Sequence, residues 1–248
     1  MKIWEVNYLG LFNYKERNQL YFYYKFLRSS LFKDIQGDVV ESGVFRGKSL
    51  ITAALMFKKF KIKKKIWGYD TFSGFPEISD KDNLNNFKTL RQKKKISSKH
   101  YKDVLKLKKH FTNINNLKIN PNNISSSKNF SDTNIKFLNK KISYLKVKKF
   151  INLVKGDFRK TMTKENNLPK KISAGLIDCD LYGGYDISLK CFWPKLQKNG
   201  KLFLDEYYSL KFPGARLAVD EFVSKNKDAK LIFDGVTLGF ERWSVKKI

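Results

Sequence analysis

Short β-branched runs alternate with longer amphipathic stretches along most of this chain. The run DVVES begins at Asp38 and passes through a turn holding Gly43 and Gly47 into the helical pattern LITAALMFKKF. IWGYD (Ile66 to Asp70), KFINLVKGDF (Lys149 to Phe158), AGLIDCD (Ala174 to Asp180) and KLFLDEY (Lys201 to Tyr207) repeat the strand pattern. Helical periodicity predicts elements from about Gly184 to Gln197 and from Ala215 to Lys225. The closing AKLIFDGVTLGFERW predicts two strands joined around Asp234-Gly235, a hairpin-type turn. This alternation predicts an α/β fold: a mostly parallel sheet with helices on both faces and an antiparallel hairpin at its end.

Two regions depart from the rhythm. Aromatics crowd the first 36 residues, and Leu20, Tyr23, Tyr24 and Leu27 recur at helical spacing. This predicts an N-terminal helical, aromatic segment packed on a core or a subunit interface, with an aromatic substrate wall as the alternative, ahead of a main domain from 37 to 248. From about 79 to 148 the chain turns rich in Lys, Asn and Ser, with few large apolar residues. Its place inside an alternating domain predicts an insertion or lid.

Each of five consecutive predicted strands ends in acid: Glu41, Asp70, Asp157, Asp178 with Asp180, and Asp205 with Glu206. Ligands of such sheets bind beyond the carboxyl ends of the strands. Asp178 and Asp180, one residue apart on an extended chain, point to one side and repel unless solvent, a cation or a polar ligand separates them. The turn Glu41-Ser-Gly-Val-Phe-Arg-Gly-Lys-Ser49 is neither G-x-G-x-x-G nor a P-loop, because Ser42 stands where a P-loop needs its first glycine. An acid leading this turn suits the ammonium of an amino-acid-bearing cofactor. Asp70 stands where a ribose ligand would, although taken by itself it reads better as the cap of its own turn. Asp157 and Phe158 suit an exocyclic amine and a base edge.

Composition changes the picture little. The 51 basic and 23 acidic residues give a formal net charge of +28, which raises nucleic acid or an anionic surface as partner. Only seven of the 51 are Arg, so a general lysine bias explains the charge better than a dedicated phosphate groove. Cys179 and Cys191 read as reduced core thiols, and His100 and His110, lone histidines in a polar segment, as solvated surface. No 18-residue apolar run and no signal-type apolar core appear, so a cytoplasmic protein is expected.

Taken in order, VVESGVFRGKS, WGYDTFSGFPE, LVKGDF, LIDCDLYGGYDISLKCFWPKLQKNGKLFLDEY and FPGARLAVDEF resemble the macrocin O-methyltransferase family, which methylates sugar hydroxyls of macrolides. The resemblance covers most of Val39 to Val223 apart from the insertion. It implies a class I S-adenosylmethionine (AdoMet) methyltransferase fold, Rossmann-like with seven strands, and use of Mg²⁺ or another divalent cation. It further implies that Glu41, Gly43, Gly47 and Ser49 hold the methionine portion of AdoMet, Asp70 with Phe72 the ribose, and Asp157 with Phe158 the adenine. Asp178, Asp205 and Glu206 match its metal ligands. Asp178 and Asp180 are the expected catalytic acids, near metal or substrate. Cys179, Glu206 and Phe45 replace the family's Gly, Asp and Trp, and none of these removes a needed charge.

The expected reaction is metal-assisted methyl transfer to a hydroxyl of a sugar, glycan precursor or glycosylated small molecule. A positioned hydroxyl must be deprotonated in line with the methyl carbon. Two alternatives remain open in the sequence: an RNA methyltransferase using the basic surface, and a non-catalytic binding protein of the same fold. A homodimer through the aromatic N-terminus is compatible with either.

Overall fold

The computed structural model describes residues 2–125 and 129–248. In chain order the elements are α1 (Ile3–Tyr8), α2 (Tyr21–Leu27), α3 (Ser30–Asp34), β1 (Asp38–Ser42), α4 (Lys48–Lys59), β2 (Ile66–Asp70), α5 (Asn86–Gln92), α6 (Ser98–Asn115), α7 (Ile135–Tyr144) and β3 (Ile151–Lys155). There follow α8 (Phe158–Thr161), β4 (Ile172–Ile177), α9 (Tyr182–Phe192), β5 (Leu196–Leu204), α10 (Pro213–Lys225), β6 (Ala229–Thr237) and β7 (Phe240–Lys247). The seven strands form one sheet in the order β3-β2-β1-β4-β5-β7-β6, parallel except for β7. The order reverses between β1 and β4, so a crevice opens at their carboxyl ends. The α/β architecture expected from the alternating pattern is the one observed.

Period-2 alternation assigns neighbouring side chains to opposite faces. Val39, Leu176 and Phe203 join one core with α2, α4 and α7, whereas Val40, Ile177, Leu202 and Leu204 join the other with α9 and α10. The expected helix around Leu20 to Leu27 forms as α2, and all four periodic residues are buried. Tyr23 packs edge-on against Phe203 of β5, with ring centroids 5.5 Å apart. The N-terminal helices therefore share the core of the first sheet face and form none of their own.

One expectation is corrected. Asp234-Gly235 is not the hairpin turn. It lies inside β6 at a register shift, where Asp234 pairs with Lys201 at 2.7 Å and Gly235 (φ +138°) admits the Phe22 ring. The turn falls at Leu238-Gly239, both with positive φ, as a two-residue hairpin requires. The stretch from 79 to 148, expected as an insertion or lid, divides between two parts of the fold, with residues 126–128 outside the described residues. Helices α5 and α6 enclose a third core from Leu84, Phe87, Leu90, Ile96 and Val104, seated on Leu181 and Phe212. Helix α7 instead belongs to the first sheet face, where Leu138 and Ile142 pack beside α4.

Asp82 ties this helical layer to the site. It is buried, accepts from the Ser79 N–H and hydroxyl, and accepts from the Tyr182 N–H at the start of α9 at 2.7 Å.

Candidate active site

A cavity of about 520 Å³ lies at the carboxyl ends of β1 to β5. Of the residues singled out in the sequence, Gly43, Ser49, Asp70, Asp157, Phe158, Asp178, Asp180, Asp205 and Glu206 line it, while Glu41, Gly47 and Phe72 do not. Gly43 makes the crevice possible. At φ +90° it lets the chain pass so close to β4 that a Cβ there would lie 1.6 Å from the Asp178 carbonyl oxygen.

On the β1–β3 side, each acid is engaged within the protein. Glu41 is fully buried behind the wall, and its Oε1 accepts from the Ser49 hydroxyl at 2.6 Å. Its Oε2 has no hydrogen-bond partner among the described residues, and burial pushes its carboxyl up to about 8 against the lowering effect of Ser49. Asp70 accepts from the Phe45 N–H at 2.8 Å and the Phe72 N–H at 2.6 Å. It therefore joins the turns after β1 and β2, and burial raises its carboxyl against these donors. Phe72, at φ +52°, turns into the first core. Asp157 caps α8 and pairs with Arg159 at 2.9 Å, which holds its carboxyl below the usual range.

The β4–β5 side is different. One oxygen each of Asp178, Asp205 and Glu206 lie within 4.8 Å of one another. Burial, then the charges of Asp205 and Asp180, pushes the Asp178 carboxyl well up. Glu206 is pushed the same way by burial and by Asp180 and Asp178. Asp180, held at φ +63°, is raised to about 8 by burial and then by Asp205. Protein donors here are few. The Tyr185 hydroxyl donates toward Glu206 at 2.8 Å, and Arg242 meets Asp205 at 3.3 Å. Such a set of hard oxygens, close and underprotonated only at a cost, suits a small divalent cation.

Several lining residues lay outside the sequence reading. Phe12 and Gln19 come from the N-terminal segment. Phe130 crosses the mouth, its ring 5.3 Å from both Phe45 and Phe75. It is secured by the Thr133 hydroxyl donating to the Phe45 carbonyl at 2.7 Å and by an Arg46–Asp132 ion pair. Phe75 stood within a quoted motif, but Phe130 had no pattern to announce it. His100, read as solvated surface, is instead buried: it stacks on Tyr208 at 4.0 Å and bonds the Ser209 carbonyl through Nε2. It does not reach the cavity. His110 is exposed, as expected.

A family model described as macrocin O-methyltransferase matches residues 17–117, which include the β1 turn and the end of β2. The family resemblance is to the macrocin O-methyltransferases. Mycinamicin III 3''-O-methyltransferase of Micromonospora griseorubida is 39% identical over 57 residues, 23% of this chain and 22% of that enzyme. The alignment thus spans about a fifth of that relative's length. Among solved structures, the calicheamicin methyltransferase CalS11 superposes with a TM-score of 0.65 at 20% identity, covering 98% of this chain and 83% of that one. The O-methyltransferase NovP gives 0.60 at 17% identity, covering 96% and 78%. The fold of these methyltransferases, here a seven-stranded and mostly parallel sheet, is therefore shared along nearly the whole chain.

Proposed function

We propose that this chain is an AdoMet-dependent O-methyltransferase of the cytoplasm that methylates a hydroxyl of a sugar or glycosylated small molecule, assisted by a divalent cation at Asp178, Asp205 and Glu206. The observation that carries this reading is the meeting of those three carboxylates on the wall of a cavity also lined by Gly43, Ser49, Asp70 and Asp157. The resemblance to mycinamicin and calicheamicin methyltransferases supports a glycosylated acceptor.

When bound, AdoMet would supply the methyl group and Mg²⁺ would acidify the acceptor hydroxyl. The chain's own residues do the rest. Glu41 acts at one remove: Ser49, on the wall, donates its hydroxyl proton to Glu41 and so presents an oxygen to the cofactor's ammonium, whose charge favours the ionised carboxylate. Asp70 lines the wall for the ribose hydroxyls, and Phe158 offers a ring edge at the adenine end. Asp180, on the cavity wall beside the three proposed metal ligands, is the carboxylate placed to take the hydroxyl proton. Phe130 and its strap keep water from the mouth. The lining carries seven acids against Arg46, Lys48 and Arg159, which disfavours an RNA phosphate despite the basic exterior.

Calorimetric titration of S-adenosylhomocysteine, then of Mg²⁺, into the wild type and Asp178→Asn tests the reading. We expect cofactor binding in both proteins and metal binding in the wild type alone. Cofactor binding with no metal binding in either protein would overturn the metal-assisted mechanism. No binding of either ligand would overturn the enzyme reading.

A further inference from the structure

Four of the six exposed aromatic side chains among the described residues sit on α1 and α7: Trp4, Tyr8, Phe137 and Tyr144. Ile3 is exposed beside them, and Tyr8 retains 86% of its accessible surface. Helical spacing explains the arrangement. Val6 and Leu9 turn inward with Leu138 and Ile142, so Trp4 and Tyr8 (i, i+4) and Phe137, Lys140 and Tyr144 (i, i+3, i+7) turn out. The two elements are tied by Lys141, whose ammonium donates to the Leu9 carbonyl at 3.0 Å. From 133 to 150 the chain holds six lysines and no acid. Single exposed apolar residues are ordinary, but large exposed aromatics gathered on joined elements are not.

We infer that the α1–α7 face docks on an anionic lipid surface. Tyr and Trp combine an apolar ring with a polar tip and suit the boundary between acyl chains and headgroups, while lysines beside them suit anionic headgroups. A second copy of this chain fits less well, since it would set lysines against lysines in a protein of net charge +28. None of these residues lines the cavity, so the face is separate from the active site. It nevertheless adjoins the mouth, because Lys141 also reaches the carbonyl of Arg46, a lining residue. Docking there brings the mouth close to an acceptor held at a surface.

The test is co-sedimentation of the full chain with vesicles of phosphatidylcholine, alone or mixed with phosphatidylglycerol. The wild type is compared with Trp4→Ser, with Phe137→Ser/Tyr144→Ser, and with Leu105→Ser/Ile114→Ser as an exposed apolar control on α6. All variants keep the net charge, and thermal melts establish that each is folded. We expect binding to the anionic vesicles only, weakened by salt, with partition falling roughly tenfold in the α1 and α7 variants and unchanged in the control. Equal binding by every variant would overturn the inference, since net charge alone would then suffice. So would absence of vesicle binding, or a wild-type oligomer that the α7 variant dissociates.

Discussion

The two halves of the site use carboxylates in opposite ways. At the ends of β1 to β3, each acid has donors of its own: Ser49 for Glu41, two backbone N–H groups for Asp70, and Arg159 for Asp157. At the ends of β4 and β5, Asp178, Asp180, Asp205 and Glu206 face one another, with Tyr185 and Arg242 as the main side-chain donors. In the first half burial raises Glu41 and Asp70, and their donors oppose the rise. In the second, repulsion between buried charges must be met by protons or by a cation. We therefore assign cofactor recognition to the first half and proposed metal chemistry to the second.

Breaking the joint between the halves should have the largest effect. Gly43→Ala places a methyl against the Asp178 carbonyl at a left-handed φ, and the obstacle is backbone rather than a mobile side chain. We expect a loss of about 3 kcal/mol or more in chemical denaturation, from overpacking and φ strain together, with cofactor and metal binding both lost. A Gly43→Ala protein of wild-type stability would mean that β1 and β4 are not held at this distance.

Next in size is the separation of the two functions. Asp178→Asn removes a proposed metal ligand and should lower methyl transfer on the order of 100-fold or more, since even partners of ligands cost 10- to 100-fold. Its affinity for S-adenosylhomocysteine should change little. Glu41→Gln should do the reverse, weakening cofactor affinity about tenfold while metal affinity stays at the wild-type value, because Gln keeps the acceptor for Ser49 and loses only the charge. If both variants weaken both ligands equally, the division into halves is wrong.

How much of this contrast was legible beforehand follows from where the signal lies. The strand ends were readable because a β-branched run stopped by an acid is a local pattern, and the topology then gathers those ends in one crevice. The cavity's other contributors were not, because Phe12, Gln19 and Phe130 reach it through tertiary packing. Helix α6 was not predicted, for a different reason. Tyr101, Val104, Leu107 and Phe111 carry a helical stripe, but lysines between them made the segment look merely polar. Asp234-Gly235 misled because a strong turn signal also fits a strand bulge that a neighbouring ring must approach. Glu41 shows the limit of reading one position: its residue type suggested direct contact with a cofactor, yet it stands behind Ser49, off the cavity wall.

The smallest predicted effect sharpens the contrast most. Asp178, Asp180 and Glu206 have carboxyls raised in the folded protein, as do Glu41 and Asp70 across the crevice, so the native state binds more protons than the unfolded chain above the ordinary carboxylate range. Stability of the metal-free protein is then fully present below about pH 4 as far as these groups are concerned. It falls as pH rises toward the folded value of about 8 that burial and Asp205 set for Asp180. A cation in the cluster should reverse this trend, since it favours the ionised forms. Asp180→Asn removes one of the repelling charges and should raise metal-free stability at pH 8 by about 1–2 kcal/mol, flattening the pH dependence at the expense of turnover. Thermal melts across pH 5 to 9, with and without Mg²⁺, measure both slopes. The same substitution leaves the donors of Glu41, Asp70 and Asp157 in place, so it should leave S-adenosylhomocysteine affinity where it was. A metal-free protein whose stability is flat from pH 5 to 8 would mean that the second half is not under the electrostatic tension that distinguishes it from the first.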